Sequence, residues 1–153
     1  VLKGIDQRLS AEIVHALMLM GHGDDLLICD VNHPAATIAA ETTYGRLIDM
    51  AGCDIPTGAA AILTLMPLDN FVEGPVTRME VVGDPAARVP LFDRMQAVID
   101  RAEGRPVTMA ALERFAFYEA GRRAFCVIRT ADSGPYGCFL MKKGVVELPP
   151  LAP

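Results

Sequence analysis

Three groups of residues carry types and spacings that chemistry could use. The first is a histidine between two glycines, in Gly21-His22-Gly23-Asp24. Flanking glycines let the backbone follow a tight path and let a ligand come close. An imidazole, with an ordinary pKa of ~6.5, can give or take a proton near neutrality. The plainer reading is a histidine that caps the helix before it. The second is Asp30, at the far end of the apolar run Leu26-Leu27-Ile28-Cys29. Ligands of parallel sheets collect at strand C-termini, although a turn or cap aspartate also suits that place. The third is Arg114-Phe115-Ala116-Phe117-Tyr118-Glu119, dense in aromatics for a chain with 6% of them. Aromatic faces pack on the apolar CH faces of sugars, and an arginine fork donates to hydroxyls. Phe115 and Phe117 read equally well as core anchors of a helix.

Other chemistries lack their templates. The glycine cradles GxxxxGK[ST] and GxGxxG are missing, as are GxSxG and HExxH. His22 and His33 are not at metal-ligand spacing, and His15 reads as a structural residue within a helix. Cys29, Cys53, Cys126 and Cys138 form no CxxC and match no zinc pattern. No cofactor and no metal are therefore expected, and the thiols are expected to be free in a reducing compartment, the cytoplasm.

The elements that would position these groups follow from periodicity and breakers. Ser10 caps a helix whose Ile13, Val14, Leu17 and Met20 recur at helical spacing, with Gly21 ending it. Leu26 to Cys29 is a short strand covered on both faces, followed by the loop Asn32-His33-Pro34. Arg46 to Met50 is a second strand. Gly52 to Thr57 is a connection containing Pro56, and Gly58 to Met66 a buried helix stopped by Pro67. Val76 to Val82 is a strand and Pro90 to Glu103 an amphipathic helix. Thr108 is read as capping a further helical stretch through Leu112. Arg114 to Gly121 is helical for part of its length, and Ala124 to Thr130 and Tyr136 to Lys142 are strands joined by a turn at Ser133-Gly134-Pro135. Alternation of helices and strands predicts an α/β fold with a central, mostly parallel sheet flanked by helices. No repeat or long linker divides the chain, so residues 1–153 are expected to form a single domain.

Composition sets the outer bounds. The chain has 153 residues, 52% hydrophobic and 22% charged, with a mean hydropathy of +0.31. That excludes a disordered chain or coiled coil, and it suggests apolar surface buried between copies of the chain. A net charge of −5 argues against nucleic acid as a partner. The longest apolar stretch, Ala59 to Leu68, falls short of the ~18 residues a membrane span needs. The charged start of the sequence, with no small-residue cleavage site behind it, does not read as a signal peptide.

Leu2-Lys3-Gly4-Ile5, Met20-Gly21-His22-Gly23-Asp24, Arg114-Phe115-Ala116-Phe117-Tyr118-Glu119, Tyr136-Gly137 and Met141-Lys142-Lys143-Gly144-Val145 occur in order over nearly the whole chain. Together they resemble the fucose mutarotase family, the branch related to D-ribose pyranase. The resemblance implies cofactor-free interconversion of sugar anomers, an α/β fold, and a homodecameric ring with the sugar site at a boundary between subunits. Residue by residue, it implies that His22 is catalytic and that Asp30 and Arg114 bind the sugar. Tyr136, Gly137 and Cys138 match a substrate-binding Tyr-Gly-Asn segment, Cys138 departing from the family's asparagine. A thiol is a poor hydrogen-bonding group beside an amide. The loop Val31-Asn32-His33-Pro34 also departs, since the fucose pattern has a histidine one position earlier.

The expected activity is therefore that of a sugar mutarotase acting on L-fucose or a related monosaccharide. His22 would move the proton, Asp30 would orient that imidazole or grip a hydroxyl, and Tyr118 or Phe117 would supply a wall. The alternative is a non-catalytic monosaccharide-binding or sugar-sensing module.

Overall fold

In the computed structural model, residues 2–148 are described. In chain order the elements are α1 (Ala11–Leu19), β1 (Asp25–Cys29), α2 (Ala35–Ala39), β2 (Leu47–Met50), α3 (Ile55–Leu63), β3 (Val76–Met79), α4 (Pro90–Glu103), β4 (Met109–Leu112), α5 (Arg114–Arg122), β5 (Cys126–Thr130) and β6 (Cys138–Lys142). The strands form one six-stranded sheet in the order β2-β5-β1-β6-β3-β4. Pairings β1–β5, β2–β5 and β3–β4 are parallel. Only β6 runs against its neighbours, β1 and β3.

Alternate residues of the central strands point to opposite faces. Leu26, Ile28, Phe139 and Met141 join the cluster built with Ile13 of α1, Ile55 and Ile62 of α3, and Phe92 and Met95 of α4. Leu27, Cys29, Cys138 and Leu140 face the other way, onto Ala35 and Ile38 of α2 and Phe117 of α5. The sheet is thus the middle of three layers. Its central strands are apolar on both faces, which is why they read as continuous apolar runs.

The local devices mostly match the sequence. Ser10 accepts from the Ile13 N–H and caps α1. α4 begins at Pro90 and ends at Gly104, whose φ of 65° is left-handed. Three readings are corrected. α1 does not close on Gly21: the chain leaves through Met20 in an extended conformation. Its terminal carbonyls are met instead by Lys143 Nζ, which donates to Leu17 O at 2.8 Å and Met20 O at 2.6 Å. α3 starts at Ile55, with Asp54 as cap and Pro56 in the first turn, where a missing N–H costs nothing. The stretch after Thr108 is strand β4, not a helix. Met109-Ala110-Ala111-Leu112 has helical preference, but four residues cannot repay helix nucleation, and pairing beside β3 satisfies their backbone.

Strands β5 and β6, although joined by a short connection, are not neighbours, because β1 lies between them. Helix α2, which follows His33-Pro34, was not foreseen. No helix of the described residues is long and apolar enough to cross a membrane.

Candidate functional site

His22 sits at the N-terminal end of β1. Asp24 shapes its turn: Oδ2 accepts from the Gly21 N–H at 2.7 Å, and Gly23, with φ 87°, takes a left-handed conformation that a side chain would resist. The Gly23 N–H donates to Lys143 O at 2.9 Å, pinning the turn to the end of β6. The imidazole side chain is 46% exposed, and its Nε2 lies 3.2 Å from Oδ1 of Asp69, which is 4% exposed. Asp69 Oδ1 also accepts from the Phe71 N–H at 3.0 Å. That backbone bond, with a smaller contribution from His22, holds the carboxyl below the usual aspartate range despite burial. The Phe71 ring lies 5.3 Å from the imidazole, tilted by 59°. The result is a solvent-reachable imidazole, backed by a sealed carboxylate and bordered by an exposed aromatic ring.

Asp30 lies at the other end of β1 and is buried. Its Oδ1 accepts from the N–H groups of Asn32 at 2.7 Å and His33 at 2.9 Å, and its Oδ2 from Gly137 at 3.0 Å. Burial raises its pKa, and these three donors pull against that rise. A carboxylate offers about four acceptor positions, so about one stays open to a ligand. Gly137 is required here: a Cβ would stand 2.8 Å from both Asp30 Oδ2 and Ile55 Cδ1. Tyr136 takes φ 58°, left-handed for a residue with a side chain, and its hydroxyl accepts from the Val82 N–H at 3.0 Å.

Asp30, His33, Arg114, Tyr118, Tyr136 and Cys138 line one cleft of about 210 Å³. Arg114 is the first residue of α5, half-buried, with its guanidinium 4.8 Å from the Phe115 ring. Among the described residues it has no carboxylate partner, so its fork is free for a neutral or acidic ligand. Tyr118 stands edge-on to His33, the ring centres 5.5 Å apart. His33 is sealed at Nε2, which has no hydrogen-bond partner, and burial lowers its pKa to about 4. Cys138 is buried at the cleft floor, and burial pushes its thiol pKa far up.

Two expectations change. Within one chain Asp69, not Asp30, orients His22. The four steps along the five residues of β1, at ~3.3 Å each, hold the two ends of that strand ~13 Å apart. Phe117 forms no wall of the cleft, being fully buried behind α5 with Leu27 and Ile38, while its neighbour Tyr118 faces the opening. Asp69 and Phe71 were missed. Pro67-Leu68-Asp69-Asn70 carries no local motif, and Asp69 meets His22 where the bridge of Leu68 to Lys143 and the Asp69 N–H donating to Lys142 O tie this segment to the end of β6.

A larger hollow of about 420 Å³ lies between α3 and α4, but its lining of Ala60, Leu63, Thr64, Val98, Arg101 and Ala102 offers no acid–base pair. No group of residues able to hold a metal occurs among the described residues.

An α/β sheet carrying an imidazole–carboxylate couple at one end and a polar, arginine-bearing cleft at the other defines the class. The chain belongs to the RbsD / FucU transport protein family, whose sequence pattern matches residues 3–146. It is 38% identical to the human fucose mutarotase over 153 residues, covering 98% of this chain and 97% of that one. Among solved structures, protein Atu2016 superposes with a TM-score of 0.93 at 44% identity, covering 96% of this chain and 97% of that chain. The Streptococcus pneumoniae fucose mutarotase, solved in complex with L-fucose, gives 0.84 at 33% identity, covering 95% and 100%.

Proposed function

We propose that this protein is a sugar mutarotase, an isomerase that interconverts the anomers of L-fucose or a closely related monosaccharide without a cofactor. The observation that carries the reading is the His22–Asp69 couple, an exposed ring held by a sealed carboxylate. The names of the relatives and the L-fucose bound to one of them agree with it.

The chemistry is ring opening and closure. The imidazolium of His22 gives its proton to the ring oxygen as the bond from C1 to that oxygen breaks. The proton leaving O1 passes to the open acceptor position of Asp30, and the freed electron pair forms the aldehyde. Rotation about C1–C2 and reversal of the same transfers yield the other anomer. Asp69 stabilises the charged imidazole and fixes its plane. Arg114 and Tyr136 hold hydroxyls, with the Gly137 N–H keeping Asp30 in place and Tyr118 bordering the sugar. Cys138 contributes shape more than hydrogen bonds. Positioned acid–base groups supply ~10²–10⁴-fold.

His22 and Asp30 stand at opposite ends of β1, so one protomer cannot close this site. We place His22 of one copy against the cleft of the next, in a homo-oligomer that the family resemblance makes a decameric ring. Residues 1–153 act as a single domain, and the four free thiols suit the cytoplasm.

Saturation-transfer NMR between anomer signals tests the activity. His22→Ala is expected to retain sugar binding and lose most of the added exchange. Unchanged exchange in a folded variant would remove His22 from the mechanism. Binding without acceleration by the natural chain would favour a sugar-binding module, the reading to which the weakly hydrogen-bonding Cys138 in the cleft lends itself.

A further inference from the structure

Cys29 and Cys138 stand directly opposite each other in the antiparallel β1–β6 ladder. The next pair outward is hydrogen-bonded, Asp30 N–H donating to Gly137 O at 2.7 Å. Hydrogen-bonded and non-bonded pairs alternate along such a ladder, so Cys29 and Cys138 occupy a non-bonded pair. Their Cα atoms there are ~4.5 Å apart, within the window of ~4.4–6.8 Å that a disulfide spans. Both side chains point to the same face, into the cluster with Leu27 and Leu140. The other two cysteines lack this arrangement: Cys126 is registered against Leu26, and Cys53 lies outside the strands. All four are free thiols. Cys138 lines the cleft, whereas Cys29 behind it has no exposed surface.

We infer that Cys29 and Cys138 form a redox pair that closes to a disulfide across the cleft floor when a hydroperoxide enters the cleft. The Cys138 sulfur attacks the distal peroxide oxygen and becomes a sulfenic acid, and the leaving oxygen departs as water or an alcohol with the thiol proton. Cys29 sulfur then attacks the sulfenic sulfur, the S–O bond breaks, and hydroxide leaves with the Cys29 proton as water. Two thiols lose two electrons, and the peroxide O–O bond takes them up. The pair is slow to react, because burial keeps both thiols protonated, Cys29 with its pKa raised to about 12. It therefore stays reduced under mild conditions and closes under sustained peroxide. The disulfide would tie β1 to β6 one residue from the Asp30–Gly137 contact. The inference holds whether or not the cleft takes a sugar.

The test uses the full chain. It is treated with hydrogen peroxide, quenched in acid, denatured and titrated for free thiols. Four thiols are expected before treatment, two after it, and four again after reduction. Digestion without reductant is expected to give a Cys29 peptide linked to a Cys138 peptide. Cys138→Ser should abolish the reductant-reversible loss, Cys29→Ser should abolish the linked peptides and lose at most one thiol, held as a sulfenic acid that reductant restores, and Cys53→Ser should keep the link. Four thiols persisting while methionines oxidise, a loss that reductant does not restore, or a link to Cys53 or Cys126 would each overturn it. All three outcomes are read on the natural sequence, so none depends on a variant folding.

Discussion

His33 shows how one side chain can set a property of the whole fold. Its ring is packed edge-on to Phe117 and Tyr118, and its sealed Nε2 has no partner. Burial lowers its pKa to about 4, against an ordinary ~6.5. Between those values the unfolded chain binds the proton and the folded chain does not. The contribution of His33 to stability is thus fully present above pH ~6.5 and is lost as pH falls toward 4, up to about 3 kcal/mol. His33→Phe is expected to flatten the pH dependence of the urea midpoint across that window. An equal slope in variant and natural protein would show that the ring is not the titrating group. The sequence made His33 visible only as a loop residue before a proline. Its burial depends on α2 and α5 closing over it, which no local spacing announces. His22 was legible because its flanking glycines are local; Asp69 was not, because the contact spans 47 residues.

Elements were legible where caps and breakers sit in the sequence, and illegible where a long-range pairing decides. α4 matches its expected bounds because Pro90 and Gly104 fix both ends. β4 was misread because its partner, β3, lies more than twenty residues away and the local preference is helical. The same long-range logic makes Gly144 critical. The segment after β6 passes so close to Pro67 and Leu68 that a Cβ on Gly144 would lie 2.5 Å from Leu68 O. Gly144→Ala is therefore expected to cost about 1–3 kcal/mol and to displace neighbouring Asp69 from His22. Gly52→Ala, where a Cβ meets nothing within 4 Å, is the matched control. Thermal unfolding compares them, and equal midpoints would mean that the 67–69 segment gives way freely.

At the scale of the whole molecule, part of the apolar excess stays on the surface of the single chain. Met18, Leu19, Phe71 and Phe115 remain largely exposed on the single chain. The alternation of helix and strand made the α/β class and the parallel core readable. The insertion of β6 against the grain was not, since a short connection from β5 gives no hint that β1 will come between. If a site joins His22 of one copy to Arg114 of the next, His22→Ala and Arg114→Ala subunits should complement each other. Co-expressed in equal amounts, they are expected to restore about one site in four, because each such site needs one intact half from each variant. Anomer exchange in the mixed assembly, against none in either parent, is the measurement. A mixture as inactive as its parents would place the whole site within one protomer.

Strand β6 is the last of the six to leave the ribosome, yet it fills a place near the middle of the sheet. Until it arrives, β1 and β3 have no bond between them, and the nascent chain carries two open seams rather than one outer edge. The same late strand and the residues flanking it deliver Tyr136 and Cys138 to one rim and Lys142 and Lys143 to the other. Translation that stalls before it would therefore yield a polypeptide that carries His22, Asp30, Asp69 and Arg114 but lacks the residues that frame them at either end of β1, with its apolar interior open to chaperones.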